Sequence, residues 1–184
     1  MKSICQITDK EVLGLDGLSD SKPIIKEVKK EDLSECVDVI RKSFLTVADN
    51  LGFTKENAPM HTAFSICEEK LVEQYNRGRK MFAYFDKNKI VGFYSIEFYD
   101  NECELNNLCV LPDYRSKGIG EKLLTHSLKF AKKFNVRKMN ISIVEENKTL
   151  KLWYEKLGFV SEYTKKFEGF PFTCGYMTKT IQED

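Results

Sequence analysis

The segment from Val110 to Leu124 constrains this chain more than any other, because its hydropathic period changes within a few residues. Upstream, Glu104 to Leu111 has the composition of a strand, and Pro112 ends it, since proline has no N–H to give a ladder. Downstream, Leu123, Leu124, Leu128 and Ala131 recur at helical spacing, which predicts a helix from about Gly118 to Phe134. Between them lies Arg115-Ser116-Lys117-Gly118-Ile119-Gly120. The first N–H groups of a helix have no partner inside it, and the helix dipole favours negative charge there. Two glycines at such a start clear the approach to the main chain, and Arg115 and Lys117 bring cationic donors. The segment is either an anion-binding turn or a helix start with permissive glycines. It is not a P-loop, because no G-x-x-x-x-G-K-(S/T) run occurs. A dinucleotide fingerprint is also excluded, because Leu123 stands where the third glycine belongs.

The rest of the pattern mixes strands and helices. Ile24 to Val28 predicts a short strand after Pro23. Leu33, Val37, Ile40, Phe44 and Ala48 make one helix stripe, closed at Asn50-Leu51-Gly52. Phe64, Cys67, Leu71 and Tyr75 predict a second helix, ended at Asn76-Arg77-Gly78. Met81–Phe85 and Ile90–Tyr99 form a hairpin about the polar turn Asp86-Lys87-Asn88. Beyond the central segment, Lys138–Val144 predicts a strand and Thr149–Leu157 a helix stopped by Gly158. Phe159–Lys166 and Thr173–Thr180 predict a last strand pair. The resulting class is α/β or α+β around a single, mostly antiparallel sheet. Residues 1–22 are weakly patterned and are expected to be an extension to a domain over 23–184.

Composition excludes several functions. The 184 residues carry 29 Lys+Arg against 28 Asp+Glu, a net charge of +1, which argues against a nucleic-acid protein. No stretch reaches the roughly 20 apolar residues of a membrane span, and no signal peptide is evident, so a cytoplasmic location is expected. Six cysteines without a C-x-x-C pair, and the separated His61 and His126, lack metal-ligand spacing; the thiols are expected to be reduced. The basic residues Lys129, Lys132, Lys133, Arg137 and Lys138 are expected to be a solvated helix end, with His126 on its surface and Trp153 in the core.

A second element lies downstream. Asn147 precedes Tyr154 by seven residues, about two helical turns, followed by Glu155-Lys156-Leu157-Gly158-Phe159. Taken alone, these are a helix cap and a core aromatic. Taken with Arg115-Ser116-Lys117-Gly118-Ile119-Gly120, they resemble the GCN5-related N-acetyltransferase (GNAT) superfamily. Its two motifs are (Q/R)-x-x-G-x-(G/A) and N-x-x-x-x-x-x-Y-x-(K/R)-x-G-F, and the resemblance covers about residues 24–181.

The resemblance implies the acyl-CoA N-acyltransferase fold, a central mixed sheet flanked by helices. It implies acetyl-CoA as cosubstrate, with no metal. The diphosphate would sit on Arg115, Ser116, Lys117, Gly118, Ile119 and Gly120. Leu108, Cys109 and Val110 would pair with the pantetheine arm, beside a strand bulge that opens a slot, and Asn147 and Tyr154 would complete the cofactor site. Tyr154 matches the family's thiol acid. Glu104, six residues before Val110, matches the glutamate base of histone-type members, with Glu102 on the same strand face. A solvated carboxylate or a water relay are the alternatives at that position. Ser142 stands where ribosomal-protein alanine acetyltransferases carry a glutamate, which departs from that branch.

The expected function is therefore acetyl transfer from acetyl-CoA to a primary amine of a small molecule. A peptide or protein amine is the nearest alternative, and a non-catalytic CoA-binding sensor is the other. Expected partners are acetyl-CoA and an amine acceptor, with neither nucleic acid nor membrane; a homodimer is left open. The acceptor walls would come from the first helices, their connector and the last strand pair, which contain Phe53, Asn57, His61, Phe170 and Phe172.

Overall fold

The computed structural model describes residues 22–181, so the expected extension lies outside the described residues apart from Lys22. The elements are β1 (Ile24–Glu27), α1 (Leu33–Leu51), α2 (Thr62–Ser65), α3 (Glu68–Asn76), β2 (Lys80–Asp86), β3 (Lys89–Tyr99), β4 (Glu102–Val110), α4 (Ile119–Lys132), β5 (Lys138–Val144), α5 (Lys148–Lys156), β6 (Val160–Lys166) and β7 (Thr173–Thr180). Among the described residues, seven strands form one sheet in the order β1-β2-β3-β4-β5-β7-β6. All neighbours are antiparallel except β4 and β5.

Burial explains the strand sequences. Ile90 through Ile96 is buried without a break, because β3 is covered on both faces. Successive residues of β4 face opposite layers. Cys109 lies against Ser43 of α1, while the next residue, Val110, comes within 4.0 Å of where a side chain on Gly120 of α4 would begin. Leu33, Cys36, Val37 and Ile40 are the buried stripe of α1, and Ile119, Leu123, Leu124 and Ala131 that of α4. Gly92 lets α4 sit close on the sheet. A methyl group there would lie 2.9 Å from Leu123 Cδ1 and 3.2 Å from the Cys109 carbonyl oxygen. Strand β6 contrasts with β3: all seven of its residues are exposed at the sheet edge.

Two expectations need correction. The helix predicted across Phe64–Tyr75 is two helices, α2 and α3, because Ile66 and Cys67 are extended (ψ 131° and 167°). Ile66 drops into the main core, and its carbonyl accepts Arg41 Nη2 at 3.1 Å. The apparent stripe thus joined residues of two clusters: Leu71 and Tyr75 pack in the main core, Phe64 in a smaller one. His126 is half-buried rather than a surface residue. Its Nδ1 lies 2.7 Å from the Tyr94 hydroxyl, and its ring packs on Phe82. Among the described residues, no helix is long and apolar enough to cross a membrane.

Candidate active site

The site begins with a defect in β4. Phe93 pairs with Cys109, but Ser95 pairs with Asn106, so Asn107 and Leu108 of β4 oppose Tyr94 alone of β3. The extra residue is a bulge at Asn107, whose φ is +54°. Strands β4 and β5 then part. Their parallel pairing covers only Glu102–Glu104 against Lys138–Asn140, while β5 stays paired with β7 as far as Val144. Beyond Glu104, the edge of β4 that faces β5 has no strand partner among the described residues. Leu108, Cys109 and Val110 lie along this open edge, and an extended chain can add to an open edge by main-chain hydrogen bonds.

At the end of β4 the chain makes one short 3-10 turn, Pro112–Tyr114, and enters α4. Ser116 and Gly118 both adopt left-handed conformations, with φ of +59° and +73°. Arg115 N–H donates to the Pro112 carbonyl, and Lys122 N–H donates to that of Gly118. Among the described residues, the intervening N–H groups of Ser116 through Glu121 have no protein acceptor outside the helix's own ladder, and the first turn of that ladder offers none. Successive donors with alternating hand form an anion-binding concavity at the positive end of a helix dipole. Gly118 is needed for its φ, because a methyl group there would touch nothing among the described residues. Gly120 is needed less. A methyl group there would lie at ordinary contact distance from the Trp153 ring, 3.5 Å. Ile119 is buried, so only its main chain faces the concavity.

The cationic side chains of this turn are held by protein atoms. Lys117 Nζ donates to the Asp113 carbonyl at 3.0 Å and lies 4.9 Å from the Tyr114 ring centre. Arg115 turns back toward α1. Its Nε donates to the Val110 carbonyl at 3.1 Å, Nη1 to Thr46 Oγ1 at 2.8 Å and Nη2 to the Ser43 carbonyl at 2.8 Å.

Helix α5 brings a phenol to the other wall of the fork. Asn147 caps it, its Oδ1 accepting Leu150 N–H at 3.2 Å. Tyr154 is 5% exposed and held edge-on by Trp153 and Phe159, with ring centres 4.8 and 5.2 Å away. Its hydroxyl has no hydrogen-bond partner among the described residues. Burial pushes its pKa up, and the nearby Cys109 thiol adds to the rise. The group therefore stays protonated, as an acid must. Burial also pushes the Cys109 thiol up to about 12, against smaller opposing effects of Ser43, the Phe93 main chain and Arg115. A thiol held protonated is a poor nucleophile.

Glu104 occupies the root of the fork, paired with Glu97 on β3 and Asn140 on β5. Partial burial raises its carboxyl above the ordinary range. Arg79 opposes that rise and Glu97 adds to it. Arg79 is committed to an ion pair with Glu97, and Asn140 Nδ2 donates to Glu102 at 2.6 Å. Glu102 and Glu104 share a strand face, as expected. Glu104 and Cys109 are separated by roughly 16 Å of extended chain at about 3.3 Å per residue. The site residues therefore fall into two groups. Residues 108–120 and Tyr154 lie around the open part of the fork, and Glu104 lies at its closed end.

The predicted acceptor residues form a separate cluster. Phe53 and Phe172 pack with Ala48, Ala58 and Ala63, and Phe170 adjoins them. His61 sits among them, 5% exposed. Phe44, Phe53, Phe64 and Phe172 surround its ring at 5.4–6.1 Å. Its Nδ1 accepts Ala63 N–H at 3.4 Å, and burial lowers its pKa. Asn57 stays in its own loop, bonded to Thr54 and the Gly52 carbonyl.

Sequence reasoning missed Ser43 and Thr46, which carry no motif and lie far from Arg115 in the chain. It also missed where the bulge lies. A signal existed in Asn106-Asn107 inside a strand, since asparagine tolerates the left-handed region better than most residues.

Residues 50–159 match the model of the Acetyltransferase (GNAT) family. The chain is 25% identical over 145 residues to a spermidine N(1)-acetyltransferase of Thermoplasma acidophilum, covering 76% of this chain and 89% of the relative. Its fold is similar to the crystal structure of PaiA N-acetyltransferase from Thermoplasma acidophilum in complex with coenzyme A (TM-score 0.73, 22% identity, 87% of this chain and 99% of that one). It is also similar to the ribosomal-protein-S18-alanine N-acetyltransferase of Escherichia coli (TM-score 0.72, 18% identity, 89% and 96%).

Proposed function

The chain belongs to the acetyltransferase (GNAT) family, and from that premise we propose that it transfers acetyl from acetyl-CoA directly to a primary amine of a small molecule, with linear polyamines the first acceptors to test. One observation carries this reading: among the described residues, the fork between β4 and β5 opens between a turn of unpartnered N–H groups and a buried phenol with no hydrogen bond.

The residues fit the cosubstrate. The N–H groups of Ser116 to Glu121 would hold the diphosphate, and the free edge of Leu108, Cys109 and Val110 would hold the pantetheine arm. Acetyl-CoA supplies the acetyl group as a thioester when bound. An alkylammonium with a pKa of about 10.4 lies about 4.6 kcal/mol from its neutral form at pH 7, at 1.36 kcal/mol per unit. Glu104, with its raised pKa, is the base that removes that proton. Its place at the closed end of the fork favours a relay through water. Tyr154 O–H is the acid that donates to the departing sulfur, and its burial keeps the proton available until then.

The acceptor class rests on the spermidine-acetylating relative and on charge. Glu97, Glu102 and Glu104 line one face at the root of the fork. Glu97 is neutralised by Arg79, which leaves Glu104 without an ion pair of its own among the described residues. A second ammonium on the acceptor would be attracted there.

The test is thiol release from acetyl-CoA in the presence of spermidine, single amino acids or a peptide with a free amino terminus. Fastest release with spermidine is expected. Preference for the peptide would move the assignment to protein amines, and coenzyme A binding without release for any amine would leave a sensor.

A further inference from the structure

We propose that Arg115 is a positioning residue that ties the anion-binding turn to α1, so that a diphosphate held by the turn is set in register against the helix carrying the acceptor wall. The inference rests on the proposed use of that turn for acetyl-CoA.

The hydrogen bonds close a ring. Arg115 Nη1 donates to Thr46 Oγ1, Thr46 Oγ1 donates to the Ser43 carbonyl at 2.8 Å, and Arg115 Nη2 donates to the same carbonyl. The third prong, Nε, holds the Val110 carbonyl at the end of β4. Three of the five guanidinium N–H donors are thus spent on neutral oxygens of two elements. Among the described residues no carboxylate pairs with Arg115. Its charge stays uncompensated beside a turn of free amides, while its direction is fixed by α1.

Helix α1 links the two sites. Ser43 and Thr46, three apart, face the turn. Phe44 and Ala48, four apart, face the cluster of Phe53, His61 and Phe172. A helix segment fixed on its Ser43–Thr46 side holds its Phe44–Ala48 side still as well. The function needs the fork of Arg115, because an ammonium cannot hold Thr46 and Ser43 at once in a planar grip. Lysine therefore separates tie from charge. It keeps the charge near the phosphates and loses the tie.

The experiment uses the full chain with coenzyme A as probe. Binding is measured by calorimetry, and hydrogen exchange of the amides of residues 43–48 is followed at saturating ligand. In the wild type, coenzyme A should slow that exchange about ten-fold, the size of one charge-assisted hydrogen bond. Arg115→Lys and Arg115→Gln should both lose that increment while still saturating with ligand. Thr46→Val, the milder change, should lose about half of it on a logarithmic scale. It should also raise the KM for the amine about three-fold with kcat unchanged. Retention of the wild-type increment by Arg115→Lys would overturn the tie in favour of charge alone, and so would an unchanged exchange rate in the wild type on binding. Failure of the wild type to bind coenzyme A is a different result, because it removes the proposed cosubstrate itself.

Discussion

The two sides of the cleft are built from different material. The proposed cofactor side is mostly main chain: the edge of β4 after the Asn107 bulge, without a strand partner among the described residues, and the N–H groups of residues 116–121. The proposed acceptor side is mostly side chain, drawn from α1, the 53–64 segment and the 170–172 loop, with His61 enclosed by phenylalanines. Main-chain geometry depends on a few residues with special dihedral requirements, such as Gly118. A side-chain wall depends on every residue that contributes to it and can be rebuilt by substitution without loss of the fold. Under the proposed reading, the first side would serve one fixed ligand and the second would change acceptors.

Tyr154 lies on the proposed cofactor side, yet its proposed role belongs to a side chain, so it gives the comparison its hardest test. Tyr154→Phe should lower kcat by about 10²–10⁴, the usual worth of a placed acid. Affinity for coenzyme A and thermal stability should stay near wild type, because the hydroxyl makes no hydrogen bond among the described residues. Steady-state assay with calorimetry checks this, and undiminished turnover would leave the leaving group to solvent.

Glu104→Gln should have the next largest effect, roughly 10–10² in kcat, below the 10²–10⁴ of a directly placed group because the proposed transfer runs through water. The sign with pH is fixed by its raised pKa. Below the folded-state value the wild-type carboxylate is protonated and cannot accept, so activity should fall on the acidic side at a pH above the ordinary carboxylate range. The glutamine variant should lose that acidic limb. A limb that survives the substitution would assign it to another group.

Gly118→Ala tests the main-chain side alone. The added methyl group meets no protein atom, but φ of +73° is strained for alanine by about 1–2 kcal/mol. Relaxing that strain turns the 116–121 amides away from their common centre, so the coenzyme A Kd should rise about ten-fold, equivalent to 1.4 kcal/mol. The amine KM should move less. Equal effects on both would mean that the two sides are not separate.

What was legible in the sequence follows the same division. The turn, the helix it opens and the place of Tyr154 on α5 were readable because each is encoded locally, by glycines at a helix start or by a cap seven residues before an aromatic. The sheet and its mostly antiparallel pairing followed from strand and turn signals. The break at Ile66–Cys67 was not readable. The helical spacing of Phe64, Cys67, Leu71 and Tyr75 continued across it, and only the packing of Ile66 into another cluster explains the extended backbone. The grip of Arg115 on α1 was equally hidden, because the partners are two ordinary residues 69 and 72 positions away. Nothing local marks a contact of that kind.

A smaller effect separates the acceptor side by pH. Burial lowers the pKa of His61, and burial with Lys133 and Lys129 lowers that of His126. Unfolded histidine titrates near 6.5. As pH falls below that value the unfolded chain binds more protons than the folded one, so stability decreases, levelling off once the folded-state values are passed. For His61 the proton would enter at Nδ1, the atom that accepts Ala63 N–H and caps α2. Thermal unfolding at pH 7.5 and 5.5 should show the loss, and His61→Gln should reduce it. An unreduced loss would place the sensitivity at His126, on the far layer of the sheet.

The smallest expected effect concerns the bulge. Asn107→Gly keeps the left-handed φ of +54° and removes its strain, a gain of up to about 1–2 kcal/mol that is smaller for asparagine than for other residues. Glycine also loses more freedom on folding, a cost of about 0.5–1 kcal/mol. The two nearly cancel, so thermal stability should shift by less than about 1 kcal/mol, and coenzyme A binding should stay within about three-fold, since 1.4 kcal/mol is ten-fold. That outcome would mean that the fork needs the backbone shape at this position and not the amide side chain, as expected of a site made from main chain. A clear fall in kcat with unchanged stability and coenzyme A affinity would show instead that the Asn107 side chain reaches the reacting groups, and the cofactor side would then share the chemistry of the acceptor side.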